Sequence, residues 1–178
     1  MPHRWRFWSI LCFSAFLAGC GARPTVEQAD AIALVERLGG KVKFADDRPG
    51  RPVVEIALGG TAVSDADLAR LACFPELETL ALFDSGIGDA GVSHLKPLAN
   101  LRALYLGRTR VTDAGLDALA GMTRLKSLGL SDTRVTDAGL LRLTPLDQLA
   151  SINLRRTPTT EAGVRKLKES LPKLVVHR

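Results

Sequence analysis

Four aspartates and a glutamate are spaced like a device: Asp65, Asp89, Asp113, Asp137 and Glu161 stand 24 residues apart. Recurrent carboxylates invite an acid–base or metal reading, but their neighbours argue against it. Ser64, Thr112, Thr136 and Thr160 precede four of them and Gly88 the fifth. A hydroxyl followed by an acid is a helix start, the hydroxyl as N-cap and the acid near the positive end of the helix. Nothing else assembles a reaction centre. Of the three histidines, His3 is near the amino terminus, His94 falls in a helical stretch and His177 is next to last. No Cys/His cluster has metal spacing, and P-loop, G-x-S-x-G and H-E-x-x-H patterns are missing from the sequence. Gly59-Gly60 reads as a turn. These residues predict no enzyme, no cofactor and no metal site.

The elements that would position the acids repeat with them. Thr109 to Leu116 (TRVTDAGL) returns unchanged as Thr133 to Leu140. Leu101, Leu104 and Leu106 recur as Leu77, Leu80, Leu82, as Leu125, Leu128, Leu130 and as Leu149, Ile152, Leu154, while the first unit carries Val53, Ile56, Leu58. The last two of each trio are two apart, the period of a strand. Leu116, Leu119 and Met122 and their copies are three apart, one face of a short helix. Each unit is therefore strand, turn, helix and return. Five such units must stack to bury what none could bury alone.

The pattern L-x-x-L-x-L-x-x-(N/C/T)-x-(V/I), in Leu101 to Val111 and its copies, resembles the leucine-rich repeat, and most closely the subclass whose units continue into a T-D-x-G-L helix start. Thr61, Ser85, Thr109, Thr133 and Thr157 fill the place where many such repeats carry Asn, facing the turn that leaves the strand. The fifth unit departs from the pattern, with Thr159 where Val or Ile belongs. The resemblance implies an α/β leucine-rich-repeat solenoid, with a parallel sheet on the concave side and short helices on the convex side. Residues 53–172 form the repeats, 25–52 a helical N-terminal cap and 173–178 a C-terminal cap strand. In the cap, Val26, Ala29, Ile32, Ala33, Leu34 and Leu38 are available for an apolar helix face. Leu171 to His177 breaks the period by one residue.

Residues 1–19 stand outside that scheme. His3, Arg4 and Arg6 precede an apolar run from Phe7 to Leu17, too short for a comfortable membrane span and typical of a secretory signal. Leu17-Ala18-Gly19-Cys20 resembles the lipobox of bacterial lipoproteins. That resemblance implies a signal peptide over 1–19, a lipid on the Cys20 thiol, a tether over 20–24 and a membrane-anchored, extracytoplasmic protein. No Asp follows Cys20, which implies onward transport from the inner membrane. Ordinary cleavage, with Cys20 incidental, is the alternative. Either way Cys73 remains without a disulfide partner, and its place beside Phe74 predicts a buried, inert thiol.

Function then rests on surfaces. The outward strand positions form three rows: Glu55, Thr79, Ala103, Ser127, Ser151; Ala57, Ala81, Tyr105, Gly129, Asn153; and Gly59, Phe83, Gly107, Ser131, Arg155. Most are small, so Tyr105 and Phe83 stand out as an aromatic pair for a protein partner; in the other reading Phe83 tucks under a cap or loop. Residues 20–100 hold 8 basic and 12 acidic side chains, and residues 101–178 hold 14 and 7. Arg108, Arg110, Arg134, Arg155 and Arg156 gather at the strand exits, where they form either a binding edge or a solvated one. The expected function is protein–protein interaction with a partner the sequence does not identify, membrane attachment through lipid on Cys20, and neither nucleic acid nor small-molecule substrate. A structural envelope component without a discrete ligand is the alternative.

Overall fold

The computed structural model describes residues 24–178; the predicted signal peptide over 1–19, Cys20 and all of the predicted tether but Pro24 lie outside them. Helix α1 (Val26–Arg37) starts at Thr25 through a reciprocal cap. The Gln28 N–H donates to Thr25 Oγ1 at 3.2 Å and the Thr25 N–H to Gln28 Oε1 at 3.1 Å. Gly39, at φ +82°, ends it. Ala31, Leu34 and Val35 carry the buried stripe, whereas Val26 is 79% exposed and Ala33 also faces solvent. The buried face is therefore narrower than the sequence predicts, because only one helical stripe can meet the stack below.

Strand β1 (Lys41–Phe44) pairs antiparallel with β2 (Val53–Ala57). The sheet is thus not parallel throughout: the loop between them turns back at once, with no helix to carry the chain across. That loop is bolted down by Arg48, whose Nη2 lies 2.6 Å from Glu78 Oε1. Beyond β2 every pairing is parallel and in consecutive order, through β3 (Thr79–Ala81), β4 (Ala103–Tyr105), β5 (Ser127–Gly129), β6 (Ser151–Asn153) and β7 (Val175–His177). The short helices α2 (Asp65–Leu68), α3 (Asp89–Ser93), α4 (Asp113–Leu116) and α5 (Asp137–Leu140) form the other layer with α6 (Glu161–Ser170). Three of them, α2, α4 and α5, run on into a 3-10 turn.

The predicted leucine ladder is the core. Leu77, Leu80, Leu82, Leu101, Leu104, Leu106 and their copies through Leu130 are essentially sealed from solvent, with Phe74, Leu98, Met122 and Leu146 closing the helix side. Each such side chain stabilises by roughly 1.5–3 kcal/mol before entropy is charged against it.

The slip at the end of the chain is local. Leu171 and Leu174 fall one residue late, yet Ser151 still pairs with Val175 and Ile152 with Val176. The extra residue lies in the longer α6 and is recovered before β7. Thr159 is buried without cost to its hydroxyl. It lies 2.9 Å from Thr157 Oγ1, which itself donates to the Leu154 carbonyl at 2.8 Å.

Candidate partner-binding surface

The four recurrent aspartates prove to be fasteners between units. Asp89 turns to the next unit, where Oδ1 accepts the Thr112 N–H at 2.8 Å and Oδ2 the Thr112 hydroxyl at 2.7 Å. Asp113 does the same to Thr136 and Asp137 to Thr160, with all four distances 2.6 to 2.7 Å. Asp65 receives only a backbone N–H, from Gly88 at 2.8 Å. The sequence reading placed each acid at its own helix; the structure aims it at the cap of the following one. The glycine two residues after Asp89, Asp113, Asp137 and Glu161 makes room, since a Cβ on Gly91, Gly115, Gly139 or Gly163 would overlap the preceding unit's carboxylate. The threonines still cap: Thr112 and Thr136 Oγ1 each accept an N–H two residues on. With both oxygens so engaged, Asp89, Asp113 and Asp137 are not disposed for acid–base work.

A second periodic bond shapes the corner where the chain leaves the sheet. The hydroxyls of Thr61, Ser85, Thr109, Thr133 and Thr157 donate to the carbonyl three residues back at 2.6 to 2.8 Å. Each bond closes a turn whose third residue has a left-handed backbone: Gly60 at φ +70°, Asp84 at +57°, Arg108 at +58°, Asp132 at +56° and Arg156 at +56°. That conformation costs a non-glycine residue on the order of 1 kcal/mol. The row is also laddered, as the Asp84 N–H donates to the Gly107 carbonyl at 2.8 Å and the Arg108 N–H to that of Ser131 at 2.7 Å.

The charges on this row alternate. Arg108 Nη2 lies 3.4 Å from Asp84 Oδ1, and Arg156 forks onto Asp132 at 2.7 and 3.0 Å. Arg110 and Arg134 form the row beside it, and neither has an acidic partner among the described residues. An open depression of about 660 Å³ collects Arg108, Arg110, Arg134 and Arg156 together with Asp84 and Asp132. Arg155 is exposed but does not line it. The edge is therefore not uniformly basic. The two interleaved aspartates were missed, although the 24-residue spacing of positions 84, 108, 132 and 156 was visible in the sequence.

The strand registers reproduce the outward rows, with Glu55 opposite Thr79 and Tyr105 between Ala81 and Gly129. Phe83 and Tyr105 are 49% and 39% exposed. Their rings do not lean the same way. Phe83 covers Gly59 of the preceding unit, whereas the Tyr105 ring edge rests against Gly129 of the following one.

Cys73 is half-buried rather than sealed, because it ends a 3-10 turn that α1 only partly covers. Its Sγ donates to the Arg70 carbonyl at 3.1 Å. Burial pushes its pKa up, with the charge of Glu27 adding to the effect, so a reactive thiolate is disfavoured. Among the described residues no group of His, Cys, Asp and Glu is placed to hold a metal ion, and no helix is long and apolar enough to cross a membrane.

The chain was compared with known proteins. None of the curated proteins matches it. Similar solved structures include an internalin from Listeria monocytogenes, with 19% identity over 61% of this chain and 36% of that one and a TM-score of 0.43. A leucine-rich-repeat protein from Leptospira interrogans shows 16% identity over 62% of this chain and 33% of that one, with a TM-score of 0.45. This chain spans about a third of the length of either. No enzymatic family is evident. A family model described as Leucine Rich repeat matches residues 76–96 and 98–120, the second and third turns of the stack built above; the chain carries leucine-rich repeats and folds as their solenoid.

Proposed function

We propose that this is a lipid-anchored, extracytoplasmic leucine-rich-repeat protein that binds another protein through its sheet face or the charged corner beside it. The observation that carries the binding reading is the sheet floor. Small side chains leave it open along its length, and Tyr105 stands exposed near the middle, as anchors of protein interfaces do. Support for the anchor comes from the sequence, where a basic, apolar leader ends in Leu17-Ala18-Gly19-Cys20. Several acyl chains, at about 0.8 kcal/mol per buried methylene, hold a protein stably on a bilayer.

Two measurements test the two halves. Intact mass and membrane partition of the native protein should give an acylated chain starting at Cys20, and Cys20→Ser should release it; a mature chain without lipid would sink the anchor. Tyr105→Ala should weaken capture of partners from envelope extract about tenfold, the loss expected of one anchor residue, and unchanged capture would remove the sheet-face version. A second reading, a structural envelope component without a discrete ligand, draws on the packing of Phe83 over Gly59 and the self-neutralising ion pairs at the corner. Cross-linking to many neighbours, indifferent to substitution of Tyr105 and of Arg155 or Arg156, is its signature.

A further inference from the structure

The corner depression has an internal logic that a merely solvated edge would not need. Its left-handed row holds Asp84, Arg108, Asp132 and Arg156, with Arg108 and Arg156 each beside an aspartate. The next row holds Arg110 and Arg134, both exposed and both without an acidic partner among the described residues. They sit on neighbouring turns of the stack, since the Arg134 N–H donates to the carbonyl of Val111, the residue after Arg110, at 3.1 Å. Adjacent turns are about 4.8 Å apart, and like charges at that separation destabilise each other. A carboxylate between them would relieve the repulsion and accept forked N–H bonds from either. The hydroxyls of Thr109 and Thr133 already donate to Leu106 and Leu130. Arg110 and Arg134 therefore carry the guanidinium groups of the groove that no described carboxylate holds, which favours a charged acceptor.

We propose that the strand-exit corner is a docking groove for an acidic segment of a partner protein, with Arg110 and Arg134 receiving its carboxylates. This rests on the protein-binding reading above and names the chemistry of the partner. Asp84 and Asp132 decide between acidic ligands. They line the same depression as the arginines, where charges closer than a Debye length, about 8 Å, are little screened. A uniform polyanion, such as a sulfated polysaccharide or an anionic bilayer, must lay charge over both, whereas a peptide places its carboxylates at intervals and can spare them.

The test titrates the full-length chain at low salt with a fluorescein-labelled Gly-Ser peptide carrying glutamates at intervals, and in parallel with dextran sulfate and phosphatidylglycerol vesicles. The peptide should bind saturably. Arg110→Ala/Arg134→Ala should weaken it about tenfold, the loss expected from two exposed ion pairs. Removing the same charge from α6, in Arg165→Ala/Lys168→Ala, should change it less than about twofold. Asp84→Asn/Asp132→Asn should tighten dextran sulfate by roughly threefold or more. Equal losses from the two double variants would show general charge at work and overturn the groove. So would tighter binding of dextran sulfate or vesicles than of the peptide, or dextran sulfate binding that ignores the two aspartates. Failure of the peptide to bind would end the proposal while leaving the membrane-partition and sheet-face results to stand or fall alone.

Discussion

At the scale of single residues, the motif D-A-G changes meaning between sequence and structure. The aspartate and the glycine two places on do not serve each other; each serves the neighbouring unit. Asp113 fastens Thr136 and is accommodated by Gly139. This makes a cycle that a local reading would not expect. Asp113→Ala should cost about 1–3 kcal/mol through two lost charge-assisted bonds. Gly139→Ala alone should cost a similar amount, roughly 1–3 kcal/mol, by pushing the carboxylate away. In the double variant the carboxylate is gone, and alanine's helix preference of about 1 kcal/mol over glycine comes into play. Urea midpoints should therefore show the double variant no less stable than Asp113→Ala, and simple additivity would refute the fastener. The sequence displayed both residues at a fixed period but could not say which unit each addressed, because the Asp–Thr offset of 23 residues and the helix-start offset of one fit the same letters.

At the scale of elements, the apolar spacing was enough to place strands and helices, since buried periodicity and stacking leave few options. Details set by packing between elements were not legible. The antiparallel entry of β1, the narrow face of α1 and the recovery of the one-residue slip after α6 all depend on what the neighbour offers. Two substitutions probe these joints. Gly88 starts α3 without a side chain, and Asp65 Oδ2 lies 3.6 Å from where its Cβ would be. Gly88→Thr should complete the missing fastener and raise stability by about 0.5–1.5 kcal/mol in chemical denaturation; a loss would mean the first join is built differently. Thr159→Val restores the apolar pattern and leaves Thr157 its bond to the Leu154 carbonyl. Its effect should stay within about 1 kcal/mol of zero, because both members of a buried polar pair need not be kept for either to be satisfied.

For the molecule as a whole, the stack ties stability to pH. The carboxyl of Asp67 is held below the usual range by hydrogen bonds from Ser64, and that of Asp137 chiefly by the hydroxyl of Thr160. Both are depressed in the folded state, so their stabilisation is present above the unfolded value of about 3.9 and lost as pH falls through the folded values. Denaturant midpoints should hold steady toward mildly acid solution and then drop, and the drop should be shallower in Asp67→Ala/Asp137→Ala. Hydrogen exchange in acid should rise at α2 and α6, which these two carboxylates secure. The sequence placed the arginines at the strand exits but not their ion pairs, since pairing depends on which side chains the left-handed turns bring abreast. One consequence reaches past any single site. The backbone is congruent with itself after one unit, so excising residues 113–136 would leave Asp89 facing Thr112 and seat Asp137 where Asp113 had been, every fastener intact. The charges at the corner repeat only after two units, and the same excision would set Arg108 abreast of Arg156. Shape in this molecule keeps time in single beats and charge in double ones, so a lineage that gains or loses one unit keeps its fold and rewrites its corner.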